Sequence, residues 1–288
     1  DRFAILDIYQ GYKGLDTTVI ADFRAGIGTE HLDVAACYYP WLNTSITTEQ
    51  EVELSNAYQP AARETGPAAP VDIKALVGND LQAQQTVRQA LCQKINQLPP
   101  GPALAGIYYT VDNDRGVWTA PANLNIEGVL GPIVAINDQQ QQGLTTDISG
   151  KSINAIRAFY GQGPAIVWGA RTLDGNANDL RYINVKRTII YIQQSIKLGL
   201  QRYAFYQNAQ ATWDNCKADI TSFLDGIWRA GGLMGSSPDM AFAVQIGLGS
   251  TMTPQDILEG KMRVSLHCAF MHPAEFTVLN FEQQMAAH

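Results

Sequence analysis

Apolar and polar positions recur along this chain with two different periods, and the switches between them mark the elements. The run RFAILDI (2–8) is short and apolar and predicts a buried strand. In DTTVIADFRAGI (16–27), Val19, Ile20 and Phe23 fall together at helical spacing, which predicts a helix. HLDVAACYYPW (31–41) predicts a second strand, halted by Pro40 because proline has no N–H for a ladder. Residues 56–70, NAYQPAARETGPAAP, are rich in Pro and Ala and read as a linker or exposed loop. In NDLQAQQTVRQALCQKINQL (79–98), Leu81, Val87, Leu91, Ile95 and Leu98 repeat at helical spacing behind a cap at Asn79 or Asp80. That apolar stripe is narrow, so the helix is expected on a surface or against a partner.

Further along, ALAGIYYTVDNDRG (103–116) predicts a helix ended by Gly116, and VWTAPANLNIEGVLGPIVAI (117–136) a turn-rich ribbon with short strands. NDQQQQGLTTDISGKS (137–152) reads as a long polar loop. INAIRAFY (153–160) and PAIVWGART (164–172) read as strands on either side of GQG. RYINVKRTIIYIQQSIKLGL (181–200) predicts a helix with Ile183, Ile189, Ile190, Ile192 and Ile196 apolar. TWDNCKADITSFLDGIWRAGG (212–232) carries the clearest helical period: Trp213, Cys216, Ile220, Phe223, Leu224 and Ile227 share a face and Gly231-Gly232 stops it. Ser237-Pro238 and Thr253-Pro254 each place a capping residue before a proline at the first helical position. KMRVSLHCAF (261–270) alternates, with Met262, Val264, Leu266, Cys268 and Phe270 on one side, and EFTVLNFE (275–282) reads as a last strand. Strands alternating with helices predict an α/β fold of mixed sheets flanked by helices.

Composition narrows the function. The 288 residues are enough for one large or two ordinary domains, and 46% of them are hydrophobic, so a packed core is feasible. Net charge is −7, from 20 basic and 27 acidic residues, with no basic run, which argues against nucleic acid as the partner. Nothing approaches the run of about 18 apolar residues that a membrane-spanning helix needs. The opening DRFAILD has no Met and no signal-peptide pattern, so an internal start within a longer polypeptide is expected. Cys37, Cys92, Cys216 and Cys268 are scattered and form no C-x-x-C, as expected of small core residues in a reducing compartment.

A search for chemistry returns near misses. GLTTDISGKS (143–152) ends like a phosphate-binding loop, but that motif needs a Gly at the position Thr145 occupies, and Gly143 stands too early. GQGPAIVWG resembles a degraded dinucleotide fingerprint, with Gly161 and Gly163 in place and Ile166 where the third Gly belongs. Asp112 and Asp114 could be paired carboxylates, but beside Arg115 and Gly116 they read as a solvated helix end. His267 and Cys268, close to His272, are adjacent and so face opposite sides of a strand, which argues against a metal site. No G-x-S-x-G elbow and no H-E-x-x-H occurs. Trp41, Trp118, Trp168, Trp213 and Trp228 are spread out and read as core or interface anchors. No catalytic, metal, nucleotide or cofactor site is expected.

A resemblance fills this gap. DRGVWTAPAN (114–123), INAIRAFYGQGPAIVWGARTL (153–173), RYINVKRTIIYIQQSI (181–196) and HPAEFTVLNF (272–281) occur in this order. They resemble the tail sheath proteins of contractile injection machines: contractile phage tails, R-type pyocins and extracellular phage-tail-like particles. RFAILDI and CYYPWL (37–42) are similar to the segment upstream, so the likeness runs from about residue 2 to residue 283. Two departures stand out. Residues 56–100 look like an insertion, and the long N-terminal region with its arm, usual before RFAILD in the family, is absent.

The resemblance implies a structural subunit and no enzyme; another phage-tail structural protein such as a baseplate component, or an α/β enzyme, are the alternatives. It implies that residues 1–145 are the end of a subtilisin-like middle domain and residues 146–288 the sheath C-terminal domain, with 137–152 a wet connection between them. The implied partners are other copies of the chain, an inner tube protein, and baseplate and terminal cap proteins, with no nucleic acid and no membrane insertion. The implied setting is assembly in the bacterial cytoplasm, as part of a phage tail or a cytoplasmic or released particle. Phe276, Thr277, Val278, Leu279, Asn280 and Phe281 form the candidate inter-subunit strand, apolar on both faces and near a chain end.

Overall fold

The structure, a computed structural model, describes residues 2–56, 58–59 and 71–274. In chain order its elements begin with β1 (Ala4–Asp7), α1 (Val19–Gly26), β2 (Ala35–Tyr39), β3 (Leu42–Thr44), β4 (Tyr58–Gln59) and β5 (Val71–Asp72). Then come α2 (Ile73–Val77), α3 (Leu81–Ile95), β6 (Gln97–Leu98), α4 (Gly101–Arg115), β7 (Val129–Pro132), α5 (Asp138–Thr145), β8 (Asn154–Phe159) and β9 (Gly163–Trp168). The last are α6 (Ile183–Leu200), α7 (Gln210–Arg229), α8 (Pro238–Ala241), β10 (Phe242–Gln245), α9 (Pro254–Leu258) and β11 (Ser265–Cys268). The mixed α/β class follows the pattern read from the sequence. Two compact units divide the chain. One comprises Phe3–Thr110 and Pro121–Arg181; the other holds Val111–Ala120 and the described residues from Tyr182 onward.

The first unit is built on a sheet of order β1-β2-β8-β9, with β1 and β8 parallel to β2 and β9 antiparallel to β8. Every residue of β2 is buried, as a central strand covered on both faces requires. Cys37, Tyr39, Ile153 and Ala155 meet Ile8, Val19, Ile136 and Leu144 in one cluster, with Ile20 and Phe23 of α1 packed against it. The helical spacing of 19, 20 and 23 is therefore the seam on which α1 docks. Asn154 locks the strand order: its amide N–H groups reach the carbonyls of Cys37 (3.2 Å) and Arg171 (2.8 Å). A smaller antiparallel sheet, β6-β3-β7, lies in the same unit.

Helix α3 starts where its cap predicts, with Asp80 accepting from the Gln82 and Ala83 N–H groups at 3.0 and 3.2 Å. None of its residues is buried, and Leu81 is 79% exposed, which agrees with the narrow stripe. Its real anchor is polar. Asn96, just past the helix, donates to the Thr47 carbonyl at 2.7 Å and accepts from the Thr47 N–H at 2.9 Å.

Two expectations change. The segment 31–41 opens as a 3-10 turn at Leu32–Val34, with His31 left-handed (φ 57°), before β2 begins at Ala35. Residues 137–152, expected to be one polar loop, contain α5. Asn137 accepts from the Gln140 N–H (2.8 Å) while the Gln140 side chain accepts from the Asn137 N–H (3.0 Å). This reciprocal cap starts a helix without an apolar stripe, and glutamine is a good helix former.

The second unit pairs α6 and α7. Ile192 and Ile196 face Ile220, Leu224 and Ile227, closed by Leu233, Ala241, Phe242 and Val244. Gly231 follows α7 at φ +82°, a left-handed stop that glycine adopts without strain. Thr253 caps α9 through a reciprocal box with Asp256. The alternation of 261–270 resolves into the shorter β11, with Val264, Leu266, Cys268 and Phe270 against the core and His267 exposed.

Candidate assembly surface

β10 and β11 form an antiparallel sheet of two strands, registered Phe242 with Cys268 and Val244 with Leu266. Those four side chains point to the α6–α7 core, while Ala243, Gln245 and His267 face outward. Among the described residues no third strand joins this sheet. A two-stranded sheet is marginal alone and offers unpaired backbone groups along its edges, a template for another strand. The core beneath supplies the stability that the ladder lacks.

The chain leaving β11 is tied down at its root. Ala269 donates to the Ala241 carbonyl and accepts from Met234, both at 2.8 Å. The Met271 carbonyl accepts from Asn184 Nδ2 at 2.9 Å, and the same nitrogen donates to the Trp118 carbonyl at 3.0 Å. The His272 ring meets Tyr182 edge-on, with centroids 5.8 Å apart. One turn further along α6, Arg187 holds Asp112 with two bonds, of 2.8 and 2.5 Å. Asp112 is therefore ion-paired while Asp114 is exposed, and the two do not form a carboxylate pair. Phe276, Thr277, Val278, Leu279, Asn280 and Phe281, the candidate inter-subunit strand, lie outside the described residues.

At the end of the stretch that mimics a phosphate loop, Lys151 and Ser152 are buried anchors. Lys151 is 8% exposed and its ammonium donates to the Arg24 carbonyl at 2.5 Å. In return Arg24 donates from Nε to the Lys151 carbonyl at 3.1 Å and from Nη2 to those of Gly143 and Leu144 at 3.0 and 2.9 Å. Its Nη1 pairs with Asp147 at 3.1 Å. Burial pushes the Asp147 carboxyl upward, but hydrogen bonds from Ser149 and the Arg24 charge outweigh it and hold the group below its ordinary value. The Ser152 hydroxyl donates to the Thr145 carbonyl at 2.5 Å. Residues 137–140, 142, 143, 146, 148 and 149 are exposed, as a wet stretch requires, while Lys151 and Ser152 at its end satisfy partly buried backbone carbonyls.

Among the described residues no group of three or more His, Cys, Asp or Glu could hold a metal. Among the same residues no helix is long and apolar enough to cross a membrane. All four cysteines are free thiols, and burial raises those of Cys37, Cys216 and Cys268 above their ordinary value.

No protein-family model and no curated protein matches the chain. Solved structures do. The sheath complex of PVC, an extracellular contractile injection system in its contracted state, aligns with 98% of this chain and 64% of its own, at 30% identity and TM-score 0.73. The contracted helical sheath of the anti-feeding prophage aligns with 98% of this chain and 61% of its own, at 30% identity and TM-score 0.68. This chain is similar to contractile sheath proteins along nearly all of its length. A chain in the contracted anti-feeding prophage baseplate is equally similar, at 29% identity and TM-score 0.72 over 98% of this chain and 65% of its own. The chain spans 61–64% of the length of the two sheath chains it matches. Sequence reasoning found the likeness to sheath proteins through its motifs but missed Asn184 and the Arg24–Lys151 exchange. The asparagine stands inside the matched stretch RYINVKRT (181–188), and that stretch was the available signal.

Proposed function

We propose that this chain is part of a structural subunit of a contractile sheath, which polymerises around an inner tube and contracts to drive that tube through a target envelope. The alignment of 98% of the chain with the contracted PVC sheath at TM-score 0.73 carries this reading. The physics of the second unit supports it. A packed helical pair beneath an open-edged sheet keeps its fold while edge hydrogen bonds to a neighbour form, and strand addition ties rigid bodies through a flexible connection. Heterologous contacts of this kind generate open helical tubes.

In this reading residues 1–145 are the end of a subtilisin-like middle domain, carrying an insertion at 56–100, and residues 146–288 are the C-terminal domain. That scheme and the compact units are different divisions, because β8 and β9 pair into the sheet of β1 and β2. The strand Phe276–Phe281 is donated between copies. The partners are other copies of the chain, an inner tube protein, and baseplate and cap proteins; nucleic acid and membrane insertion have no part. The subunit assembles in the bacterial cytoplasm and has no catalytic role, whatever chemistry its fold supports elsewhere.

A second reading, a baseplate component, draws on the similarity to a chain of the anti-feeding prophage baseplate. Electron microscopy of the purified full-length protein separates the two. Hollow striated polymers are expected; discrete particles under every polymerising condition refute the sheath reading.

A further inference from the structure

We infer that Asn184 is the anchor of the C-terminal segment, fixing at Met271 the direction in which the chain leaves toward Phe276–Phe281. The inference rests on the reading of that segment as a strand donated between copies.

Asn184 is 3% exposed and stands in the first turn of α6. Its amide nitrogen joins two segments remote in sequence, with the Trp118 carbonyl 66 residues before it and the Met271 carbonyl 87 after it. Both partners are acceptors, so only the nitrogen can face them, which sets the orientation of the amide. The cost falls on the other end: Asn184 Oδ1 is buried with no hydrogen-bond partner among the described residues. A buried carbonyl without a donor is unfavourable, but an apolar side chain of similar volume would in turn leave the Trp118 and Met271 carbonyls without theirs. What such a side chain lacks is the hold on Met271. The amide is thus spent on joining Trp118 and Met271, at the cost of its own oxygen, and the bond to Met271 fixes where the chain leaves.

The surroundings make the anchor stiff. Thr188 Oγ1 donates to the Asn184 carbonyl at 2.7 Å, and the Arg187–Asp112 pair lies in the same stretch of helix. Ile192 and Ile196 fix α6 into the core. On the far side of Met271, His272 rests on Tyr182 and Pro273 restricts the backbone. A strand offered from a fixed root loses less freedom on docking than one offered from a loose tail. A pull on the docked strand also reaches α6 through this root before it reaches the β10–β11 ladder.

The test is sheath assembly by the full-length protein, followed by light scattering and electron microscopy, with folding of the soluble subunit checked by thermal unfolding. Asn184→Ala is expected to fold and to lower assembled sheath at least tenfold. Thr188→Val removes a buried hydrogen bond of the same helix without touching Met271; it controls for lost stability and is expected to assemble within twofold of the parent. Asn184→Ala protein that also assembles within twofold overturns the inference. Should Asn184→Ala fail to fold, Asn184→Leu decides, since it keeps the side-chain volume and removes both amide bonds. A threefold or larger loss of sheath then supports the anchor, and any smaller loss overturns it. Deleting residues 275–288 separates the two ideas. If the deletion protein assembles, strand donation is wrong and the anchor falls with it. If deletion blocks assembly while Asn184→Ala does not, the anchor alone is wrong.

Discussion

Lys151 directs its ammonium to the backbone of Arg24, and that choice is testable. Lys151→Ala leaves a buried carbonyl without its donor, so it is expected to lower stability by about 1–3 kcal/mol in urea denaturation. The parent protein is expected to show no binding in calorimetric titration with Mg-ATP; micromolar affinity lost in the variant would restore the nucleotide reading. Asp256 gives a second residue-scale prediction. It accepts from the Thr253 N–H (3.0 Å), the Thr253 hydroxyl (2.8 Å) and Arg263 Nε (2.9 Å), and these bonds pull its carboxyl down to about 2. A depressed carboxylate stabilises the fold above its unfolded value, about 3.9, and loses that contribution as pH falls toward 2. Thr253→Val removes the hydroxyl donor and is expected to raise the Asp256 value in an NMR titration; an unchanged value means the threonine bond is not formed. These residues also show what a sequence conceals. A backbone carbonyl is the same group at every position, so a side chain that seeks one has no complementary letter elsewhere. Lys151, Asn154 and Asn184 were illegible for that reason, whereas Val19 or Ile220 declared themselves through spacing.

Elements were legible in proportion to their apolar period. α7 buries Trp213, Cys216, Ile220, Leu224 and Ile227, five of the six residues its spacing put on one face, and α6 buries Ile183, Ile192 and Ile196. α5 had no such period, since only Leu144 of its residues is buried, and its polarity mimicked a loop. The signal that could have found it was the pair Asn137 and Gln140, spaced as a capping box. If that box is what starts α5, Asn137→Ala costs about 1 kcal/mol. Amide exchange in residues 138–145 should then speed up by a comparable factor. Exchange and stability that do not move would mean that packing of Leu144 alone holds the helix.

At the scale of the molecule, the likeness to sheath proteins was legible because several motifs occur in order, and the candidate assembly site was not. Its candidate strand lies outside the described residues, and a donated strand has its hydrogen-bond partners on another chain. Val278→Pro removes a backbone donor, which an interior ladder tolerates poorly. In the full-length protein it is expected to abolish sheath assembly. A donated strand leaves the melting temperature of the soluble subunit unchanged; an internal one lowers it by several degrees, while normal contractile sheaths from this variant would sink both versions. The order of the first sheet has a consequence in time. β2 needs β8 as its neighbour, and the bond from Asn154 to Cys37 spans 117 residues. At a synthesis rate of about 5–20 residues per second, the ribosome takes on the order of ten seconds to deliver that partner. Throughout that interval the strand AACYY, wholly buried in the finished fold, has an open edge in a crowded cell. Shielding of that edge while it waits is thus expected to raise the yield of folded chain during synthesis.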